Sequence, residues 1–133
     1  RGDGFMIFLV PTPPSVNAMY ANVAKVGRVK TKRYRMWQRE ALKAFRAAGK
    51  TINHPVMVAI EVWKNGAVIE DLDNRIKPTL DLLVTAAVIK DDRQVVEVRA
   101  AWSCDLPKRR TRIEVIDRDT PEDWRRIGKR APE

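Results

Sequence analysis

Residues 70–92 read Glu-Asp-Leu-Asp-Asn-Arg-Ile-Lys-Pro-Thr-Leu-Asp-Leu-Leu-Val-Thr-Ala-Ala-Val-Ile-Lys-Asp-Asp, and the fold turns on them. Ile76, Leu80, Leu83, Val84, Ala87 and Val88 fall on a 3.6-residue period, which predicts an amphipathic helix over Asp73–Val88. Pro78 falls in its first turns, where a missing N–H costs little if Asp73 or Asn74 caps the helix. Upstream, Val56, Val58, Ile60 and Val62 alternate within Val56–Trp63 and predict a strand, closed by a turn at Asn65-Gly66. Downstream, Val95–Trp102 and Arg112–Asp117 predict two more strands around a turn at Asp105–Arg110. Farther toward the N-terminus, Phe5–Val10 is a short apolar run stopped by Pro11, Pro13 and Pro14, a strand leading into an extended loop. Residues 15–32 hold no sustained period and read as a flexible loop that orders on a ligand. Thr31–Ala48 places Tyr34, Trp37, Ala41, Leu42, Phe45 and Ala48 on one face of a helix, with Arg and Lys opposite and Gly49 at its end.

The order is therefore βαβαββ: an α+β single domain over residues 1–117, with a mixed sheet of about four strands and two main helices packed on it. A polar tail, 118–133, follows, with a short C-terminal helix expected at Pro121–Ile127 and Trp124 as its anchor. A chain of 133 residues suits one domain and not two. The most apolar stretch, Leu82–Ile89, is far short of the ~20 residues of a membrane span. Phe5–Val10 is too short and too soon followed by prolines to be a signal peptide, so the expectation is a soluble protein with no membrane partner. Cys104 is the only cysteine and His54 the only histidine. No internal disulfide can form, and metal sites built on histidine and cysteine pairs are excluded. Both residues, His54 before Pro55 and Cys104 as a half-buried thiol, are read as having no catalytic part, and Trp37, Trp63 and Trp102 as packing.

The net charge of +9 is unevenly placed. Residues 1–50 hold eleven Lys or Arg against Asp3 and Glu40, whereas the remainder is balanced. A basic segment joined to a neutral body suits a protein that sits on a polyanion, because each Lys or Arg that meets a phosphate releases condensed counterions. A second basic cluster, Lys108, Arg109, Arg110 and Arg112, offers a further backbone contact.

Against this background the acids of residues 70–92 stand out. On the expected helix Asp73, Lys77 and Asp81 are spaced i, i+4, i+8 and share a stripe beside the apolar face. Asp71 lies two residues before the helix and, in extended chain, points the same way as Asp73. Asp91-Asp92 opens the next strand, and whether that strand returns parallel or antiparallel decides whether it meets the first pair. Each acid alone has an ordinary explanation as a cap, an i, i+4 pair or a turn. Together they form an acidic knot in the most apolar part of a basic chain, and gathered carboxylates need a neutralising cation. With oxygen ligands only, that cation is Mg²⁺ or Mn²⁺.

The residues resemble the RusA family of Holliday-junction resolvases, small endodeoxyribonucleases of bacteria and their phages. The resemblance runs from residue 5 to about 117: a first strand into Pro13-Pro14-Ser15-Val16-Asn17 and Tyr20, then a basic segment and helix, then Asp71-Leu72-Asp73-Asn74, Lys77, Asp81 and Leu82, and last Asp91-Asp92 and Val95. It implies metal-binding aspartates at Asp71, Asp73 and Asp92, with Asp91 competing for the third place, and an essential lysine at Lys77. Family members often end the second helix with glycine, where this chain has Ala86-Ala87. The implied activity is Mg²⁺-dependent resolution of four-way DNA junctions by paired nicks in recombination and repair, with Mn²⁺ as a substitute. The implied unit is a homodimer, because two strands of a roughly two-fold junction are cut. The implied location is the cytoplasm of a bacterium or of a phage-infected one. Asn17, Lys25, Arg28, Lys30, Lys32, Arg33, Arg35 and Arg75 are the residues put forward to hold the DNA backbone. Two other classes compete: a non-catalytic nucleic-acid-binding regulator, in which the acids are structural, and a basic scaffold that binds RNA. Both leave the acidic knot unexplained.

Overall fold

The computed structural model describes residues 5–64 and 70–118. Six strands are present: β1 (Phe5–Pro11), β2 (Tyr20–Val23), β3 (Gly27–Lys30), β4 (Val56–Trp63), β5 (Val95–Ser103) and β6 (Arg110–Asp117). The two main helices are α1 (Lys32–Leu42), extended by a 3₁₀ turn at Lys43–Phe45, and α2 (Ile76–Thr85), preceded by a 3₁₀ turn at Leu72–Arg75. The main sheet has the order β1-β6-β4-β5. β6 is antiparallel to both β1 and β4, while β4 and β5 are parallel and joined through α2. This is the expected α+β domain with a four-stranded mixed sheet. The expected C-terminal helix, Pro121–Ile127, lies outside the described residues.

One face of the sheet makes the core. Val56, Val58, Ile60 and Val62 of β4, Ile113 and Val115 of β6, and Phe8 and Val10 of β1 are buried with Tyr34, Trp37, Ala41 and Phe45 of the first helical segment and with Leu82 and Leu83 of α2. The alternation along β4 follows from its period of two: the branched residues go inward while Ala59, Glu61 and Trp63 are only partly covered. On the other face Arg112 lies 3.7 Å from Glu61 and 3.4 Å from Glu114, an ion-pair row that keeps this side wet.

Three expectations are corrected. Residues 20–30 are not a loop but a two-stranded hairpin, Tyr20 paired with Lys30 and Val23 with Gly27. Its strands are short and mostly exposed, so no burial rhythm marks them in the sequence. Secondly, α1 starts at Lys32 with Thr31 as its cap, the hydroxyl accepting the Tyr34 N–H at 3.1 Å, and α-helix gives way to 3₁₀ after Leu42. Thirdly, α2 is shorter than the apolar period, and neither Asp73 nor Asn74 caps it: Arg75 occupies the cap position, with no side-chain cap.

The helix end carries local strain. Ala87 has φ of 60°, the left-handed conformation that glycine takes most easily after a helix. The following N–H groups of Val88 and Ile89 turn back to the Leu83 carbonyl. Ala87→Gly is therefore expected to raise stability by roughly 0.5–1 kcal/mol, because relief of the Cβ clash exceeds the added freedom of the unfolded chain. Chemical denaturation of both forms checks this.

Candidate active site and nucleic-acid interface

The site is built around α2. Asp71 is extended, with φ of −79° and ψ of 124°, and begins the 3₁₀ turn that contains Asp73. Its carboxylate makes no cap hydrogen bond, and Asp71 and Asp73 are both exposed. Among the described residues neither forms an ion pair. The ordinary explanation for these two acids, helix capping, is therefore absent. Exposed carboxylates held two residues apart at the head of a helix, and unpaired among the described residues, are donors available to a cation.

Lys77, one turn into α2, donates to Asp81 at 3.1 Å, the expected i, i+4 pair. The hydrogen bond and charge of Asp81 raise the Lys77 pKa above its usual value, and Asp92 adds to this. Lys77 thus stays a cation throughout the range in which DNA is handled. Any stability it contributes is present below its ordinary pKa and is lost only as pH rises through the raised value in the folded state. Between about pH 6 and 9 its titration is expected to leave no mark on the rate, a point that a pH–rate profile checks.

Asp91 and Asp92 follow the other end of α2. The helix has ten residues, so about 15 Å of helix separates the two acidic pairs along the chain. Among the described residues no three of His, Cys, Asp and Glu form a group able to close round a metal. The two members of the later pair differ. Asp91 caps the 3₁₀ turn Asp92–Gln94, accepting the Arg93 N–H at 2.8 Å and the Arg93 guanidinium at 2.9 and 3.2 Å. Those bonds pull the Asp91 pKa down to about 2. Its oxygens already have partners, whereas Asp92 is exposed and within the field of Lys77.

Gln94 was not singled out from sequence, yet it fixes this corner. Its carbonyl oxygen accepts the N–H groups of Lys90 and Asp91 at 2.8 and 3.1 Å, and its amide donates to the Ile52 and His54 carbonyls at 2.9 and 3.0 Å. The spacing Asp91-x-x-Gln94 is a capping-box pattern and could have revealed it. Gln94→Ala should cost about 1–3 kcal/mol by leaving partly buried groups unpaired, measurable by urea denaturation.

Lys77, Asp81, Asp91 and Asp92 line a cleft of about 500 Å³ whose opposite wall is Lys30, Tyr34 and Gln38. Lys30 is drawn in by Gln38, whose amide oxygen accepts its ammonium at 3.1 Å. Burial raises the Tyr34 pKa, as does the nearby Asp81, so the phenol stays neutral. The hairpin explains where other basic residues go. Arg28 lies 4.2 Å above the Tyr20 ring, Lys25 sits at the tip with φ of 66°, and Asn17 is exposed on the 3₁₀ turn Val16–Ala18. Lys32, Arg33 and Arg35 are exposed on α1, with Arg35 donating to the Lys30 carbonyl at 2.7 Å. Arg75 departs from the expected role of DNA contact: its side chain is only 16% exposed, ion-paired with Glu70 and hydrogen-bonded to the Pro13 carbonyl. It ties the proline loop to the head of α2. Cys104 is exposed, not half-buried as expected. His54 lies 3.7 Å from Asp117 on the far side of Gln94 and takes no part in either acidic pair.

Among the described residues no helix is long and apolar enough to cross a membrane. No curated protein matches the chain. The family model described as Endodeoxyribonuclease RusA matches residues 11–116, a span that begins at the end of β1, takes in both helices and both acidic pairs, and closes in β6. Both acidic pairs, Lys77, and the hairpin and helix residues that share a cleft with Lys77, Asp91 and Asp92 all fall within this span, and the chain belongs to the RusA endodeoxyribonuclease family.

Proposed function

We propose that this protein is a Mg²⁺-dependent endonuclease that resolves four-way DNA junctions. The observation that carries the reading is the pair Asp71 and Asp73, exposed at the head of α2 and used neither for capping nor, among the described residues, for ion pairing. Mg²⁺ binds proteins through one or two carboxylates, keeping waters and substrate phosphates as its other ligands. Asp71 and Asp73 suffice for that, Mn²⁺ would substitute, and Asp92 is the third carboxylate of the reading. When bound, the ion would supply Lewis acidity for activating water and offsetting phosphate charge.

The chain's own residues do the rest. Lys77 remains protonated and places positive charge beside the carboxylates, where a non-bridging or leaving oxygen gains negative charge. Lys30, Lys32, Arg33 and Arg35 with the hairpin Lys25 and Arg28 hold the sugar-phosphate backbone without reading bases. Two strands of a junction must be cut, so a homodimer with one site per protomer is the unit proposed. The half-exposed Ile7 and Leu9 on edge strand β1 are apolar surface suited to such an interface. The setting proposed is recombination and repair in the cytoplasm of a bacterial or phage-infected cell.

The test is cleavage of a labelled four-way junction in Mg²⁺, Mn²⁺, Ca²⁺ and excess chelator. Mg²⁺ and Mn²⁺ should support cutting, while Ca²⁺, with its looser coordination, should support binding with little cutting. Undiminished cleavage in chelator contradicts the reading. A salt titration belongs with it: neutralising Lys32, Arg33 and Arg28 together should reduce the logarithmic salt slope of junction binding by about 2 to 3, at about 0.9 per lost phosphate contact. An unchanged slope would place the binding face elsewhere.

A further inference from the structure

A second cleft, of about 630 Å³, lies beside the carboxyl ends of the parallel strands β4 and β5. Its walls include Trp63 at the end of β4, Trp102 near the end of β5, and the cations Arg33, Lys64, Arg109 and Arg110. Both indoles are half-buried, so each leaves part of its ring open to a ligand. The Lys64 ammonium lies 5.3 Å from the Trp102 ring centre. Among the described residues none of the four cations has a carboxylate partner. The one acid in the wall, Glu70, is paired with Arg75. The cleft is therefore strongly positive and flanked by π surface.

Its rim is held in an unfavourable backbone state. Arg109 has φ of 60°, fixed by its carbonyl accepting the Thr12 N–H at 3.0 Å and by the neighbouring Arg110 N–H donating to Pro107 at 3.1 Å. A non-glycine residue kept in this region costs about 1 kcal/mol or more, and such strain gathers where side chains must be aimed. The segment bearing Asp71 and Asp73 connects the two clefts: Glu70 and Arg75 line this one, Lys77 the other.

We propose that this cleft receives an unpaired nucleotide of the DNA strand bound across Asp71 and Asp73, its base against Trp63 or Trp102 and its phosphates on Arg109, Arg110 and Arg33. A base inside a duplex is already stacked on its neighbours, whereas at a branch point or in a single strand an indole can take the place of the missing neighbour. The volume of about 630 Å³ is that of a small-ligand site. That the ligand is a DNA strand rests on the endonuclease reading; the aromatic and cationic site does not.

The test uses the full chain in chelator, where nothing is cut, and follows tryptophan emission during titration with single-stranded hexathymidylate. Saturable quenching is expected. Arg109→Gln with Arg110→Gln should weaken binding by about tenfold or more. Trp37 also lines the cleft but is almost wholly buried, so Trp63→Phe with Trp102→Phe should remove most of the quenching while binding of a labelled oligonucleotide, followed by anisotropy, stays within about twofold, because phenylalanine still stacks. An abasic hexamer should bind at least about tenfold more weakly, and free thymidine monophosphate should bind more weakly than the strand. Absence of quenching, quenching of undiminished amplitude in the double Phe variant, or equal affinity for the abasic strand overturns the proposal. Junction cutting in Mg²⁺ by the same preparation separates the two readings. Cutting without quenching removes the cleft alone; quenching without cutting removes the endonuclease and leaves the cleft.

Discussion

Asp73→Asn abolishes junction cutting and leaves junction binding intact or tighter: that is the expected result, with a loss of rate on the order of 10²–10³-fold or greater. The side chain keeps its shape, and Asp73 sits exposed in the 3₁₀ turn before α2, where the carboxylate contributes no cap. Fold stability should therefore change by less than about 0.5 kcal/mol. What changes is charge: a metal ligand loses its anionic oxygen, and a like-charged neighbour of the DNA phosphate disappears. If the two acids were merely surface residues, cutting at the wild-type rate would be found. Gel shift and product formation on one junction read both quantities. In mixtures with wild type, heterodimers should nick one strand of the two, which also tests the dimer.

Leu82→Ala should cost about 2–5 kcal/mol of stability. Leu82 is fully buried in the cluster that joins α2 to the sheet, beside Leu83 and the β4 valines. Truncation removes the transfer energy of three carbons and leaves a hole, because neighbours held by strand pairing cannot collapse far. The expected signature is a lower denaturation midpoint with an unchanged slope. Since α2 carries Lys77 and separates the two acidic pairs, cutting should fall as well, more at higher temperature than at lower. Leu82→Met, which nearly conserves volume, should cost less than about 1.5 kcal/mol. Equal losses for both would show that packing at this position does not hold α2.

The parts of this fold legible in the sequence are those with a buried face. β4 begins and ends where its alternation of branched residues begins and ends, Val56 to Trp63. The apolar rows of α1 and α2 gave both helices, although the 3₁₀ turns at Leu72–Arg75 and Lys43–Phe45 shorten them, since apolar period does not distinguish 3₁₀ from α at a terminus. The β2–β3 hairpin was illegible because its eight residues face mostly water and its turn is carried by Lys25 and Gly27 instead of a strong turn pair. The acidic pairs and Lys77 could be read from spacing. Which of Asp91 and Asp92 has free oxygens could not, because that depends on Arg93 and Gln94 closing a cap around Asp91. Arg75 looked like one more cation of a basic chain, and only the approach of Pro13, 62 residues away, makes it a structural tie. The tryptophan cleft was equally hidden, since Trp63 and Trp102 meet only when β4 and β5 pair in parallel, and Arg109 joins them only when β6 pairs antiparallel with β4.

The central claim is that this chain cuts branched DNA through a metal held by exposed carboxylates. The most direct measurement compares initial cleavage rates on a labelled synthetic four-way junction and on a linear duplex of the same sequence, each with Mg²⁺ and with chelator. The account predicts paired nicks in the junction with Mg²⁺, at least about a hundredfold slower cutting of the linear duplex, and no cutting of either in chelator. Tight binding of the junction with no scission in Mg²⁺ or Mn²⁺, or equal cutting of junction and duplex, would contradict it.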